Sequence, residues 1–174
     1  LAIKKGIPTL LRYFDKNTAN LIQKKYGKAK IITATNVFAH IDNITELMNN
    51  VLKVLKNDGV FVTESHYLMP LIKDLQYDTI YHEHLDYHHA GPLARHLCAL
   101  GFDLLDLSVN SVQGGSLRLL LKKTGNGAIT EQAQNFLDVE KQSVLCNEEF
   151  LSNWSYKIES SMVEFHNLLS EEVS

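Results

Sequence analysis

Sulfur is scarce in this chain. Its two cysteines, Cys98 and Cys146, are far apart and in no metal-ligand spacing. That argues against a disulfide-stapled scaffold or a thiolate zinc site, and it reads as reduced thiols in a cytoplasmic protein. Long apolar runs are lacking too, so no transmembrane helix is expected, and no secretory signal is visible. Basic side chains are scattered, without a basic stripe interleaved with aromatics, which argues against nucleic acid as a partner. There is no internal repeat and no low-complexity segment.

What is present is the composition of one soluble globular domain. The chain has 174 residues, 45% hydrophobic and 21% charged, with a net charge of -3. That length suffices for a sizeable core. The charge is uneven: residues 131–174 hold nine acids against Lys141 and Lys157, a net of -7, which leaves +4 on residues 1–130. The basic portion favours an anionic small substrate. Leu1 opens directly into what reads as the end of a helix, and residues 168–174 leave a helix without a stop signal. Both ends read as cut.

The stretch Tyr77–His89 stands apart. It packs an imidazole–carboxylate–imidazole triplet, His82-Glu83-His84, with His88, His89 and three tyrosines. Five of the eight histidines lie between His66 and His89. Groups that titrate near neutral pH beside a carboxylate suit proton transfer or metal binding. Both chemistries are open at this point. His84 and His88 would share a helical face, and His82 and His84 a strand face, with Glu83 able to complete a zinc or iron set. The spacing is not that of a zincin.

The surrounding chain alternates strands and helices. Gly6 stops a short N-terminal helix, and residues 7–14 read as a strand with Pro8 at its start. A helix follows over 17–26, ended by Gly27. Lys30 to Asn36 is β-branched and apolar without alternation, the pattern of a parallel strand buried on both faces. Asn43 caps the next helix with Glu46 three residues on, and Ile44, Leu47, Met48, Val51 and Leu55 form its apolar face. A turn at Asn57-Asp58-Gly59 leads into a second buried strand, Val60 to Glu64. This β-α-β unit implies a parallel crossover. Pro92 starts a helix whose apolar side is Leu93, His96, Leu97 and Leu100. Residues 102–109 and 116–122 then read as an antiparallel hairpin at a sheet edge. From Thr130 onward the pattern is helical, with Leu151, Trp154, Ile158, Met162, Phe165 and Leu169 on one stripe. That stripe suits packing on a further domain or homo-oligomer formation. Its acidic opposite face argues against membrane association.

Several strings occur in a telling order: Gly6-Ile7-Pro8-Thr9, Tyr13-Phe14, Asn36-Val37-Phe38-Ala39-His40-Ile41, Asp58-Gly59-Val60-Phe61-Val62 with Glu64, Tyr77 to His84, and Gly114-Gly115-Ser116-Leu117-Arg118. Together they closely resemble the S-adenosyl-L-methionine-dependent C-methyltransferases that methylate a carbon of nucleotide-linked deoxy-keto-sugars. The resemblance covers essentially the whole chain. It implies an α/β fold: a partial class I methyltransferase (Rossmann-like) sheet with a terminal antiparallel hairpin over residues 1–124, then an acidic helical segment over 125–174 leading to a further domain. Such proteins carry a zinc-binding module with paired cysteines and a glycine-rich cofactor loop, both expected upstream of Leu1.

The resemblance also implies roles. Glu83 and His84 face the sugar, with His84 as the base, Glu83 orienting it or holding a hydroxyl, and Tyr81 or His82 donating to an enolate oxygen. Ala34, Thr35, Asn36 and His40 lie near the methionine part of the cofactor, and Phe14 near its adenine. Glu64, His66, Tyr67, Gly115 and Ser116 line the sugar pocket. Independently, ligands in open parallel sheets sit beyond the C-terminal ends of the strands, where Asn36 and His66 fall. Two other readings remain: a metal-dependent hydrolase or oxygenase using His82, Glu83, His84 and His88, and a non-catalytic assembly module.

Overall fold

The computed structural model describes residues 1–143 and 148–173; Cys146 lies outside them. A single turn of 3-10 helix, Ile3–Lys5, ends at Gly6 in the left-handed conformation. Helix α1 (Lys16–Tyr26) starts at Asp15, whose carboxylate accepts from Thr18 N–H at 2.7 Å, and stops at Gly27. Strand β1 (Ala29–Thr35) leads through a 3-10 turn, Phe38–His40, to helix α2 (Ile44–Val54). Asn43 Oδ1 accepts from Glu46 N–H at 2.9 Å, the expected cap. Strand β2 (Leu55–His66) runs parallel to β1. The chain then forms the short helix α3 (Leu68–Lys73), the histidine loop, helix α4 (Ala90–Ala99), strand β3 (Phe102–Asn110), strand β4 (Ser116–Lys123), helix α5 (Glu131–Lys141) and helix α6 (Glu148–Val173).

The four strands form one sheet in the order β1-β2-β4-β3. Strand β4 pairs antiparallel with both β2 and β3, so the terminal hairpin inserts its second strand beside the parallel pair. Side chains alternate across the sheet. Phe61, Thr63 and Ser65 of β2, with Leu117, Leu119 and Leu121 of β4, are buried on one face. Helices α2 and α4 contribute Met48, Val51, Leu93 and Leu97 to the same core. Phe61 sits between Phe38 and Phe102, with ring centroids 6.1 and 6.2 Å away.

Four local expectations are corrected. Residues 7–14 form no strand. Among the described residues nothing offers them a ladder, and Leu11 and Tyr13 are 83% and 92% exposed. Strand β1 is not buried on both faces: it pairs only with β2, and Ile31 is 64% exposed at the free edge. Asn57-Asp58-Gly59 falls inside β2, where Ala29 faces Leu55 but Ile31 faces Val60, so the extra residues form an irregularity in the ladder. His96 is exposed and bonds to Thr45 Oγ1 at 3.0 Å, leaving Ala90 and Ala94 to complete the buried side of α4. The stripe on α6 is present but largely open, with Leu151, Met162, Phe165 and Leu169 exposed, while the Trp154 indole donates to the Ile72 carbonyl at 2.9 Å.

Candidate functional site

The histidine loop, the turn between β1 and α2, and the C-terminal ends of β1 and β2 meet at one end of the sheet. His84 is the hub. Its ring lies 5.0 Å from His40, 5.5 Å from His66, 4.2 Å from Tyr81 and 5.6 Å from Tyr87, centroid to centroid. The Tyr81 hydroxyl is 2.8 Å from His84 Nε2. His84 Nδ1 is buried without a hydrogen-bond partner. With the ring proton on Nδ1, the Nε2 lone pair accepts from Tyr81 O–H; with it on Nε2, the ring donates to the Tyr81 oxygen. Burial holds the His84 pKa below the ordinary histidine value, and the nearby His40 and His66 add to the shift by like-charge repulsion. The Thr79 carbonyl and the Glu83 charge oppose it. The outcome favours the neutral imidazole, with a lone pair available to take a proton.

His40 is fixed from a distance in sequence. Its Nδ1 meets the Glu83 carbonyl at 2.8 Å, and Leu85 N–H donates to the Ala39 carbonyl at 2.7 Å. The turn after β1 and the loop after β2 thus hold each other. Of the triplet, His84 enters the ring cluster, Glu83 contributes its backbone carbonyl, and the His82 and Glu83 side chains are exposed. His88 is buried edge-on to Phe38, ring centroids 6.0 Å apart, and desolvation lowers its pKa.

Beside this cluster, a cleft of about 310 Å³ opens along β1. Phe14, Ala34 and Thr35 line it, together with Val37, Leu47 and Phe61, none of which the sequence singled out for this purpose. Asn36 follows directly on Thr35, at the C-terminal end of β1. It adopts a positive φ of 54° at the strand end, and its Oδ1 is buried without a hydrogen-bond partner. A non-glycine residue held in that region is strained by about 1–3 kcal/mol, and such strain concentrates at ligand sites. An apolar slot for a flat ring next to an orphaned acceptor for an amine fits the two ends of S-adenosyl-L-methionine. His40 belongs to the histidine cluster rather than to the cleft.

The remaining candidates are spread along the ends of β2 and β4. His66 and Glu64 share a sheet face, opposite Ser116 and Arg118. Glu64 Oε2 accepts from Arg118 Nε at 2.8 Å and from its terminal nitrogen at 2.6 Å. His66 Nε2 is buried without a partner. Tyr67 points elsewhere, its hydroxyl donating to Glu140 of α5 at 2.8 Å. Ser116 is buried and donates to the Val112 carbonyl at 3.0 Å.

Gly115 has φ +134°, and a Cβ there would lie 2.6 Å from Pro70 Cγ. The backbone of this glycine packs closely against Pro70 of α3. Gly115→Ala is expected to destabilise the protein by about 1–3 kcal/mol through backbone strain and this clash. Urea denaturation measures it, and an unchanged midpoint would show that the Pro70 contact yields freely.

The alternative of a metal centre gains nothing from the geometry. Among the described residues no three His, Cys, Asp or Glu groups converge to hold a metal ion. Nor is any described helix long and apolar enough to cross a membrane.

The chain is similar to known proteins in structure and in sequence. A solved magnesium protoporphyrin IX methyltransferase (ChlM) from Synechocystis PCC 6803, with bound SAH, is 12% identical; it matches 55% of this chain and 45% of its own, at a TM-score of 0.43. A structure from work on the conversion of a disulfide bond into a thioacetal group during echinomycin biosynthesis is 10% identical, over 82% and 66% of the two chains, at a TM-score of 0.48. In sequence, the C-methyltransferase NovU of Streptomyces niveus is 34% identical over 117 residues, which is 67% of this chain and 28% of that relative's length. Residues 5–107, more than half of the chain, match the family model described as a methyltransferase domain. The segment so matched contains the cleft, the parallel pair and the histidine cluster, and the chain belongs to the methyltransferase domain family.

Proposed function

We propose that this chain is the acceptor-activating part of an S-adenosyl-L-methionine-dependent C-methyltransferase, acting on a carbon α to the ketone of a nucleotide-linked deoxysugar. The observation that carries the reading is His84 at the centre of the ring cluster, its Nε2 2.8 Å from the Tyr81 hydroxyl and its pKa held below the ordinary histidine value by burial. A carbon is methylated beside a ketone only after a proton leaves it, and an imidazole with a pKa near or below neutrality suits that removal. His84 Nε2 takes the proton, and the C–H electron pair moves into the carbonyl. Tyr81 O–H, released from Nε2, donates to the oxygen as negative charge develops there. His40 and His66 flank the base and disfavour its premature protonation. Phe14, Ala34, Thr35 and Asn36 would hold S-adenosyl-L-methionine, which supplies an electrophilic methyl group when bound. The 34% identity to a C-methyltransferase supports carbon as the acceptor.

The test is proton exchange by the full-length enzyme. In deuterated water it should replace the substrate hydrogen α to the ketone, and methyl transfer should follow at that carbon. Absence of both with every nucleotide-linked keto-sugar tried would overturn the reading. The pH profile adds a second constraint. Because the His84 pKa lies below the ordinary 6.5, the exchange rate should stay level through neutrality and fall only as pH drops through a midpoint below 6.5. A midpoint above that value assigns the base to another group.

A further inference from the structure

Between Tyr67 and His88 the chain leaves β2, forms α3, presents Tyr81 and His84, and returns. The two ends of this excursion are joined: Tyr67 and His88 form a parallel β-bridge, and Leu68 N–H donates to the His88 carbonyl at 3.0 Å. Glu140 of α5, far outside the family-matched residues 5–107, is bound to both ends of that closure. Its side chain is 2% exposed. Oε1 accepts from Tyr67 O–H at 2.8 Å and from Ala90 N–H at 2.6 Å. Oε2 accepts from Gly91 N–H at 2.6 Å and meets His89 Nδ1 at 3.1 Å.

Burying a carboxylate is costly unless its lone pairs are filled. Here four donors fill them, and the two amides are the orphan N–H groups of the α4 N-terminus, where negative charge is favoured. An ionised carboxylate is acceptor-only and can take all four. A neutral amide of the same shape has one acceptor oxygen and an NH₂ that would face an N–H. Gly91 keeps the approach open, since a Cβ there would come within 3.2 Å of Oε2. Burial and the adjacent carboxylate both raise the Tyr67 pKa, so its hydroxyl remains a donor across the working pH range. The sheet side of the loop (Tyr67) and the helix side (His89, Ala90, Gly91) are therefore tied through one carboxylate that α5 supplies.

We propose that Glu140 is a positioning residue for His84: by clamping both ends of the 68–88 excursion it sets where the loop presents the base against His40 and His66. The inference rests on the reading of His84 as the base. It assigns a functional task to α5, a helix that the sequence pattern marks only as acidic and amphipathic.

The test uses the full-length enzyme carrying Glu140→Gln, with steady-state kinetics and NMR of histidine side chains labelled at Cε1. A clamp predicts that kcat falls about tenfold or more while KM for the methyl donor stays within about twofold, because the β1 cleft is untouched. It also predicts a displaced His84 resonance in the folded protein. Wild-type kcat with an unmoved His84 resonance overturns it, and so does a loss of kcat that merely tracks the unfolded fraction while that resonance stays in place. Should Glu140→Gln not fold, Tyr67→Phe removes a single donor and is read by the same two measurements, with a kcat loss of about threefold expected. If wild-type enzyme methylates no keto-sugar, the His84 resonance alone decides for or against the clamp, and the failure belongs to the proposed reaction.

Discussion

Replacing His84 by alanine is expected to abolish exchange of the substrate hydrogen α to the ketone and to lower methyl transfer by roughly 10²–10⁴-fold, the range for losing a positioned general base. The fold should survive, because His84 is a half-buried loop residue whose bonds are to the Tyr81 hydroxyl and, through its backbone N–H, to the Tyr81 carbonyl. Binding of the methyl donor should be nearly unchanged, since the β1 cleft is lined by other side chains. Tyr81→Phe makes the informative contrast. It leaves the base but removes the donor to the developing oxygen, so exchange should slow without vanishing. A His84→Ala enzyme that exchanges at the wild-type rate removes the base from His84, and attention then passes to His66, whose buried Nε2 has no partner.

The parallel pair, its helix and the terminal hairpin were legible in the sequence because their signals are local. Asn43 and Glu46 announce a cap, Gly27 and Gly101 end helices, and β-branched runs mark strands. The hub of the site was legible for a different reason: a histidine–glutamate–histidine triplet is too polar to be accidental core. What surrounds it was not. His40 reaches the Glu83 carbonyl across 43 residues, and Glu140 reaches Ala90 N–H across 50. No periodicity within either segment encodes such a pairing. The error over residues 7–14 has the opposite origin. Ile7, Leu10 and Leu11 carry strand-like composition, but a strand exists only when a neighbour accepts its hydrogen bonds. Tyr67 shows the limit of reasoning from strand ends: it follows His66 directly, yet its ring turns to α5, so proximity in sequence to the cluster did not make it part of the cluster.

Phe61 joins the core to the β1 cleft, and Phe61→Ala is expected to have the largest effect on stability. The ring is fully buried, packed between Phe38 and Phe102, and it also lines the cleft with Phe14 and Ala34. Removing a buried aromatic ring forfeits its transfer free energy and leaves a cavity, costing about 3–5 kcal/mol. That is a large part of the roughly 5–15 kcal/mol that separates folded from unfolded chains of this kind. The site cannot easily collapse to recover the loss, because β2 is fixed by ladders on both sides. Phe38 leads into the turn that places His40, so loosening this aromatic row should reach the histidine cluster as well. Urea denaturation of Phe61→Ala should show the midpoint falling with the slope unchanged, and the methyl donor should bind more weakly than to wild type. Phe61→Leu separates the two effects: it keeps most of the buried volume, so stability should largely return, while the flat wall of the cleft stays missing and donor affinity stays reduced. Full recovery of donor binding in Phe61→Leu would mean that the cleft needs only apolar bulk at this position, and that the ring serves the core alone.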